Sequence, residues 1–161
     1  MPTTPALQLD RFLAKYTPEV AAVGRKALTK MRAFLPSAVQ MVYDNYNALV
    51  IGFGPTERPS EALFSIVLYP RYVGLCFLHG VGLPDPKKLL QGSGKQVRWI
   101  RLSDASVLDQ PDVRVLMMHA IDRSAKPFGS AKHGHLVIKS ISAKQRPRKP
   151  GKAATKQRSK R

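Results

Sequence analysis

The stretch that decides the fold is residues 39–79, VQMVYDNYNALVIGFGPTERPSEALFSIVLYPRYVGLCFLH. It contains four runs of β-branched and aromatic residues, separated by short segments rich in Asn, Gly, Pro and Ser. These runs predict strands over 39–44, 48–53, 62–69 and 72–79. Because short connections join neighbouring strands as hairpins, the four strands are expected to pair in an antiparallel sheet.

Helical patterns precede this stretch. Thr17 can cap a helix, Pro18 suits its first position, and apolar residues follow at spacings of three and four: Val20, Val23, Ala27, Met31 and Phe34. A helix over 18–34 is therefore predicted, ending before Pro36. A shorter helix is expected over 7–15.

After the four strands comes GLPDPKKLLQGSGKQVRWIRL, residues 82–102. Asp85 can cap a short helix that begins at Pro86 and ends before Gly92. Residues 96–102 alternate and predict a fifth strand. A final helix is expected after Pro111, and residues 136–141 are expected to add an edge strand.

These elements predict an α+β fold with a single antiparallel sheet of about five strands and helices packed on it, in the order α-β-β-β-β-α-β-α. Residues 1–143 show no repeat or low-complexity linker, so they are expected to form one domain. Residues 144–161 have no aromatic or branched aliphatic side chain, and a disordered tail is predicted there.

The net charge of +17 is unevenly distributed. Residues 144–161 hold nine cations and no acid, which leaves 18 Lys and Arg against 10 Asp and Glu in residues 1–143, or +8. The cations of this basic tail are its candidate nucleic-acid contacts. They are Lys144, Arg146, Arg148, Lys149, Lys152, Lys156, Arg158, Lys160 and Arg161.

No apolar run reaches the ~20 residues of a membrane span, so no membrane contact is expected. The N-terminus lacks the pattern of a secretory signal, and a cytoplasmic location is expected. The lone Cys76 agrees with a reducing compartment.

One segment begins at Gly82, contains Asp85-Pro86 and Leu89-Leu90, and continues through Gly94-Lys95 into the strand of Arg98. This segment resembles the YdhG/YdeI-like family, domain of unknown function 1801. The resemblance covers residues 9–124, roughly, and implies the same α+β order. Some members are described as frataxin-like iron chaperones, so the resemblance also makes the handling of iron or a small ligand a candidate function.

Two candidate sites follow from the residues. Lys95, Arg98 and Arg101 lie in and after a glycine loop and are a candidate anion site, although Leu89 and Gln96 break a Walker motif. The alternative is that the glycines only end a helix before the strand and that the three cations are solvated. Tyr43, Tyr46, Tyr72 and Trp99 are candidate lining residues of a groove, with ordinary core packing as the alternative.

Metal binding and catalysis have less support. The ten acids are scattered and form no ridge, so neither a metal site nor another cofactor is expected. Cys76 lies in an apolar strand, where a thiol is usually a buried small hydrophobe, and no catalytic triad order stands out. A non-enzymatic domain is therefore expected.

Three functions remain open. The first is an accessory domain that contacts nucleic acid or another polyanion without sequence preference. The second is a frataxin-like domain that handles iron or a small ligand. The third is an interaction module for an acidic protein partner. The sequence leaves the oligomeric state undetermined.

Overall fold

The computed structural model describes residues 3–130 and 134–150. Two helices come first, α1 over Pro5–Leu13 and α2 over Pro18–Phe34. The Thr4 and Thr17 hydroxyls cap them by accepting hydrogen bonds from Leu7 N and Val20 N, and a proline fills the first turn of each. The predicted helices are confirmed.

Five strands follow and pair consecutively as an antiparallel meander. Their bounds are β1 Val39–Asp44, β2 Leu49–Gly54, β3 Phe64–Leu68, β4 Val73–Phe77 and β5 Arg98–Leu102. Helix α3 spans Pro111–Asp122, and β6 spans Leu136–Ile141. Short 3₁₀ turns occur at Pro59–Glu61 and Ala105–Asp109.

The sheet of the described residues has six strands in the order β5-β4-β3-β2-β1-β6, and β6 runs parallel to β1. The α+β prediction is confirmed, but the sheet is mixed rather than purely antiparallel. The reason is the long connection through α3, which carries the chain back across the molecule before β6 begins, as parallel pairing requires.

The short helix predicted after Asp85 is wrong. The Asp85 carboxylate accepts hydrogen bonds from Leu89 N and Leu90 N, both at 2.9 Å, which closes a single turn. Lys88 then adopts a positive φ of 54°, a left-handed conformation that ends helical growth. The chain turns back instead, and Gln91 pairs with Trp99 at the outer edge of β5.

The helices cover one face of the sheet. One apolar residue from each of five neighbouring strands forms a buried row across this face: Val42, Ile51, Ile66, Leu75 and Ile100. Helix α2 approaches closely because Gly24 has no side chain, and a Cβ there would lie 2.7 Å from Leu68 Cδ2. The main core therefore lies between α2 and the middle of the sheet.

Candidate functional site

Two hairpin turns lie at the same end of the sheet, because β1 and β3 run towards it and β2 and β4 run away. The first turn joins Asp44 to Leu49, and the second joins Leu68 to Val73. Strands β5 and β6 also finish at this end. We call it the hairpin end.

The segment after β6 packs on the first hairpin turn. Ser142 N donates to Asp44 O at 2.9 Å, and Arg146 N donates to Tyr46 O at 2.8 Å. Gln145 Nε2 donates to Asp44 O at 3.0 Å. Residues 144–150, predicted as the start of a disordered tail, thus make defined contacts with the domain, because polar groups rather than apolar side chains hold them.

A buried ion pair fixes this segment. Asp44 has no exposed surface and Arg148 is only 5 % exposed, with Arg148 Nη2 at 2.9 Å from Asp44 Oδ1. Lys15 Nζ lies 3.0 Å from Asp44 Oδ2. Burial on its own would raise the pKa of Asp44, but hydrogen bonds from Gln145, Lys15 and Arg148 outweigh it and hold that pKa below its usual value. Asp44 is therefore an ionised anchor.

The guanidinium of Arg148 also binds the turn itself. Its Nη1 donates to Tyr46 O at 3.3 Å, and its Nη2 donates to the Asn45 carbonyl. Its Nε is buried and has no hydrogen-bond partner among the residues that the structure describes. One arginine thus holds the carboxylate and two carbonyl groups of the same hairpin.

Tyr16, in the link between α1 and α2, joins the two hairpins. Its hydroxyl donates to Leu68 O at 2.9 Å and accepts from Leu49 N at 3.1 Å. The Arg148 guanidinium lies 5.8 Å from the ring centre. Burial raises the pKa of Tyr16 to about 12, although the nearby Arg148 opposes the shift. The hydroxyl stays protonated and bridges β2 and β3.

Cations and aromatic rings alternate at this end. Arg146 lies over the ring of Tyr46 at 5.6 Å, and Arg101 lies over the ring of Tyr72 at 5.0 Å. Tyr69 stacks on Tyr72 with ring centres 4.8 Å apart. Tyr46 is 47 % exposed.

The exposed members of this region form what we call the hairpin-end surface. Five of its residues are exposed cations: Arg71, Arg101, Lys144, Arg146 and Lys149. Its aromatic residues are Tyr46, Tyr69 and Tyr72. Glu19 is an acid at this end, where it lines a cavity of about 150 Å³ with Arg71 and Arg101. The surface is therefore strongly positive.

The structure does not bring the predicted anion site together. Lys95 is exposed in the loop before β5, and Arg98 Nη1 donates to Gly94 O and Val97 O, each at 2.8 Å. Arg101 is three residues further along the strand, so its side chain lies on the opposite face, ~10 Å away. Of the three, only Arg101 belongs to the hairpin-end surface.

The predicted groove is also dispersed. Tyr43 and Trp99 share the sheet face opposite the helices, but β1 and β5 are four strand spacings apart, ~19 Å. Both are half-buried, and Trp99 pairs with Cys76. Tyr46 and Tyr72 lie on the two hairpin turns. No single groove among the described residues contains all four.

Of the predicted tail contacts, Lys144, Arg146 and Lys149 are exposed at the hairpin end, whereas Arg148 is buried. Arg148 is thus a structural residue rather than a free contact for a ligand. The remaining five lie outside the described residues. They are Lys152, Lys156, Arg158, Lys160 and Arg161.

Two observations concern metal ligands and the Cys76 thiol in the described part of the chain. Within residues 3–130 and 134–150, no group of three or more His, Cys, Asp or Glu is arranged to hold a metal ion. Burial raises the pKa of the Cys76 thiol, which disfavours the reactive thiolate. The same residues contain no helix long and apolar enough to span a membrane.

The largest cavity described, about 360 Å³, lies at the other end of the sheet, between β4 and the end of α3. Phe77 and Leu63 form apolar walls, and Arg123 is on the rim. The two Arg123 terminal nitrogens donate to Val81 O and Gly82 O, so they are already occupied. His79 Nε2 lies 3.1 Å from Ser60 O.

The sequence does carry one sign of the Arg148 anchor. Asp44 ends an apolar strand, and a carboxylate in such a position needs a cationic partner if it is buried. Nothing in the sequence says which of the 27 Lys and Arg residues supplies it. The partner lies 104 residues away and only the fold identifies it.

No family model matches this chain, no curated protein is similar to it at a significant level, and no solved structure matches its fold at that level.

Proposed function

We propose that this protein binds polyanions, nucleic acid first among them, through the hairpin-end surface and without sequence preference. One observation carries the proposal. The buried pair of Arg148 with Asp44 docks the segment after β6, so that Lys144, Arg146 and Lys149 join Arg71 and Arg101 at one end of the sheet.

The clustering of these cations is what favours a polyanion. A phosphate backbone carries closely spaced charges, and each phosphate that a cation neutralises releases a condensed counterion. Lys144, Arg146 and Lys149 lie in one docked segment at the first hairpin, and Arg101 on β5 is four strand spacings (~19 Å) from β1 at the same end of the sheet. An extended phosphate backbone can span that distance and contact both groups of cations. Beyond Pro150 the sequence adds five more cations and no acid, which supports the same function.

The salt dependence gives a quantitative expectation. If each of the five exposed cations meets one phosphate of a duplex, the plot of log binding constant against log salt concentration has a slope of about −4.5. A chain that ends at Pro150 should approach this slope, and the full chain should exceed it. Truncation at Ala143 is unsuitable, because it would remove Arg148 and leave Asp44 buried with one fewer partner.

The test is fluorescence anisotropy with labelled duplex DNA and two triple variants of the full chain. Arg71→Gln, Lys144→Gln and Lys149→Gln remove three cations from the hairpin-end surface. The matched control, Lys87→Gln, Lys95→Gln and Lys126→Gln, removes three exposed cations elsewhere. We expect the first variant to lose about tenfold or more in affinity and to have a shallower salt slope, and the control to change little.

Two results would overturn the proposal. Equal losses in both triple variants would mean that net charge alone drives binding. Tighter binding of polyglutamate than of DNA, at equal chain charge, would favour an acidic protein partner instead.

Membership of the YdhG/YdeI-like family, and with it a frataxin-like handling of iron, is a separate proposal that rests on residues 82–102. A cytoplasmic location is likewise proposed from the sequence alone. Anaerobic calorimetric titration with ferrous iron tests the metal hypothesis, and micromolar binding abolished by replacing one or two acids would put it first.

A further inference from the structure

Tyr46 is held in a fixed position on the first hairpin turn of the hairpin-end surface. Its backbone carbonyl accepts hydrogen bonds from Arg146 N at 2.8 Å and from Arg148 Nη1 at 3.3 Å. Asn45 N, one residue before it, donates to Ala48 O at 3.0 Å and closes the turn. The backbone is thus fixed on both sides, while the side chain is 47 % exposed.

The Tyr46 ring differs from the other aromatic rings of this surface. Tyr72 already has two partners, the ring of Tyr69 at 4.8 Å and the guanidinium of Arg101 at 5.0 Å. Among the described residues, the Tyr46 ring has one such partner, the guanidinium of Arg146 at 5.6 Å, and Tyr46 is 47 % exposed. It is therefore the ring on which a planar group from outside can stack.

A base that stacks on Tyr46 places its own phosphate among cations. Arg146 lies over the ring at 5.6 Å, and Lys144 and Lys149 are exposed in the same docked segment. An aromatic platform next to a cationic path along the backbone is the arrangement by which proteins bind single strands without reading sequence. In a duplex the base faces are covered by neighbouring bases and cannot reach such a ring.

We propose that the hairpin-end surface prefers single-stranded to duplex nucleic acid, and that Tyr46 supplies the preference by stacking on an unpaired base. This inference rests on the proposed function, since the phosphates must first be attracted by the surrounding cations. The side chain of Tyr46 provides the part of the binding that does not depend on charge.

The experiment compares a short oligothymidine with an abasic oligomer of equal length, which keeps the sugar-phosphate charge and lacks the bases. Anisotropy is measured with the full chain and with Tyr46→Ala and Tyr46→Phe. The intact protein should bind oligothymidine about fivefold or more tightly than the abasic strand. Tyr46→Ala should abolish that difference, and Tyr46→Phe should keep it, because the phenyl ring still stacks.

Three controls separate the outcomes. Duplex affinity and the salt slope should be the same in Tyr46→Ala as in the intact protein, because the variant removes no charge. The thermal midpoint should change little, since the hydrogen bonds of this residue are made by its backbone and its ring contact with Arg146 is a weak one at the surface. Oligouridine in place of oligothymidine shows whether RNA is preferred to DNA.

Equal affinity for the two strands, unaffected by Tyr46→Ala, would overturn the inference while leaving the proposed function intact. No binding of either strand would instead overturn the proposed function and this inference with it. A loss in Tyr46→Ala that is equal for oligothymidine, the abasic strand and duplex would also reject base stacking.

Discussion

The two ends of the sheet each contain an acid paired with a basic side chain, but the pairs differ in burial. At the hairpin end, Asp44 and Arg148 are almost fully buried, with side chains 1 % and 3 % exposed. At the other end, Glu57 Oε2 lies 3.0 Å from His135 Nε2, and the side chains are 55 % and 59 % exposed.

This difference decides what each pair contributes. Water screens the exposed pair, and pairs of this kind contribute at most ~1 kcal/mol. The Asp44 carboxylate is buried away from water, so removing Arg148 would leave Lys15 alone to balance its charge. The buried pair at the hairpin end is thus expected to contribute to stability, whereas the exposed pair at the opposite end is expected to contribute little.

The largest expected effect comes from removing the whole docked segment. A chain that ends at Ala143 loses Arg148 together with the hydrogen bonds of Gln145 and Arg146, and we expect the free energy of unfolding to fall by about 4 kcal/mol. A chain that ends at Pro150 keeps these contacts and should match the full protein. Urea denaturation measures both, and equal stability of the two truncated chains would contradict the docking.

A single substitution sharpens the comparison between the two pairs. Arg148→Met should destabilise the protein by about 3 kcal/mol, less than a fully orphaned charge would cost, because Lys15 still contacts Asp44. The matched change at the other end, Glu57→Gln, should cost less than about 0.5 kcal/mol. Similar urea midpoints for the two variants would show that burial does not separate the pairs.

The bridge between the two hairpins is the next test. Tyr16→Phe leaves Leu49 N without its acceptor and Leu68 O without its donor in a buried site, so a loss of about 2 kcal/mol is expected. Tyr43→Phe is the control, since the one hydrogen bond of its hydroxyl to the described residues is a weak contact with Met41 Sδ at 4.0 Å. Thermal unfolding of both variants provides the measurement; a larger loss in Tyr43→Phe would reject the bridging role.

The smallest effect is a pH dependence, with opposite signs for two groups. The pKa of Asp44 is lowered in the folded state, so its contribution is present above about pH 4 and is lost as the pH falls further. The pKa of Tyr16 is raised from 10.0 to about 12, so its contribution is present below pH 10 and is lost as the pH rises towards 12.

Denaturation across the pH range checks both signs. Asp44→Asn should flatten the acid limb, and Tyr16→Phe should flatten the alkaline limb. If Asp44→Asn loses stability at low pH as the intact protein does, the loss is caused by other carboxylates.

The sequence was sufficient to predict the elements whose signals are local. Thr17-Pro18 and the apolar stripe of α2 predict that helix, and the runs in 39–79 predict the hairpins. Asp85 illustrates the limit, because a residue that caps a helix can equally close a single turn. The single turn forms instead of a helix because Lys88 adopts a left-handed conformation, and a lysine in the sequence does not predict that conformation.

The surface itself could not be predicted, because its parts are distant in sequence. Tyr46 and Arg146 are one hundred residues apart, and each alone suggests an ordinary turn residue and an ordinary tail cation. A polyanion as partner stays a prediction from composition. The surface proposed for it depends on the parallel pairing of β6 with β1, which brings residues 142–150 to the first hairpin.

That parallel pairing also bears on the order in which the protein assembles during synthesis. Strands β1 to β5 pair with strands that are adjacent in the sequence. The second edge of β1 is different, because it is covered only when β6, the last strand, has been made. We therefore expect a nascent chain to expose the edge of β1, including Met41, until β6 emerges, and this interval is when neighbouring chains can add to the edge. Pulse-labelled hydrogen exchange during refolding should show amides of β2 and β3 protected before those of β6; simultaneous protection would show that the sheet closes in one step.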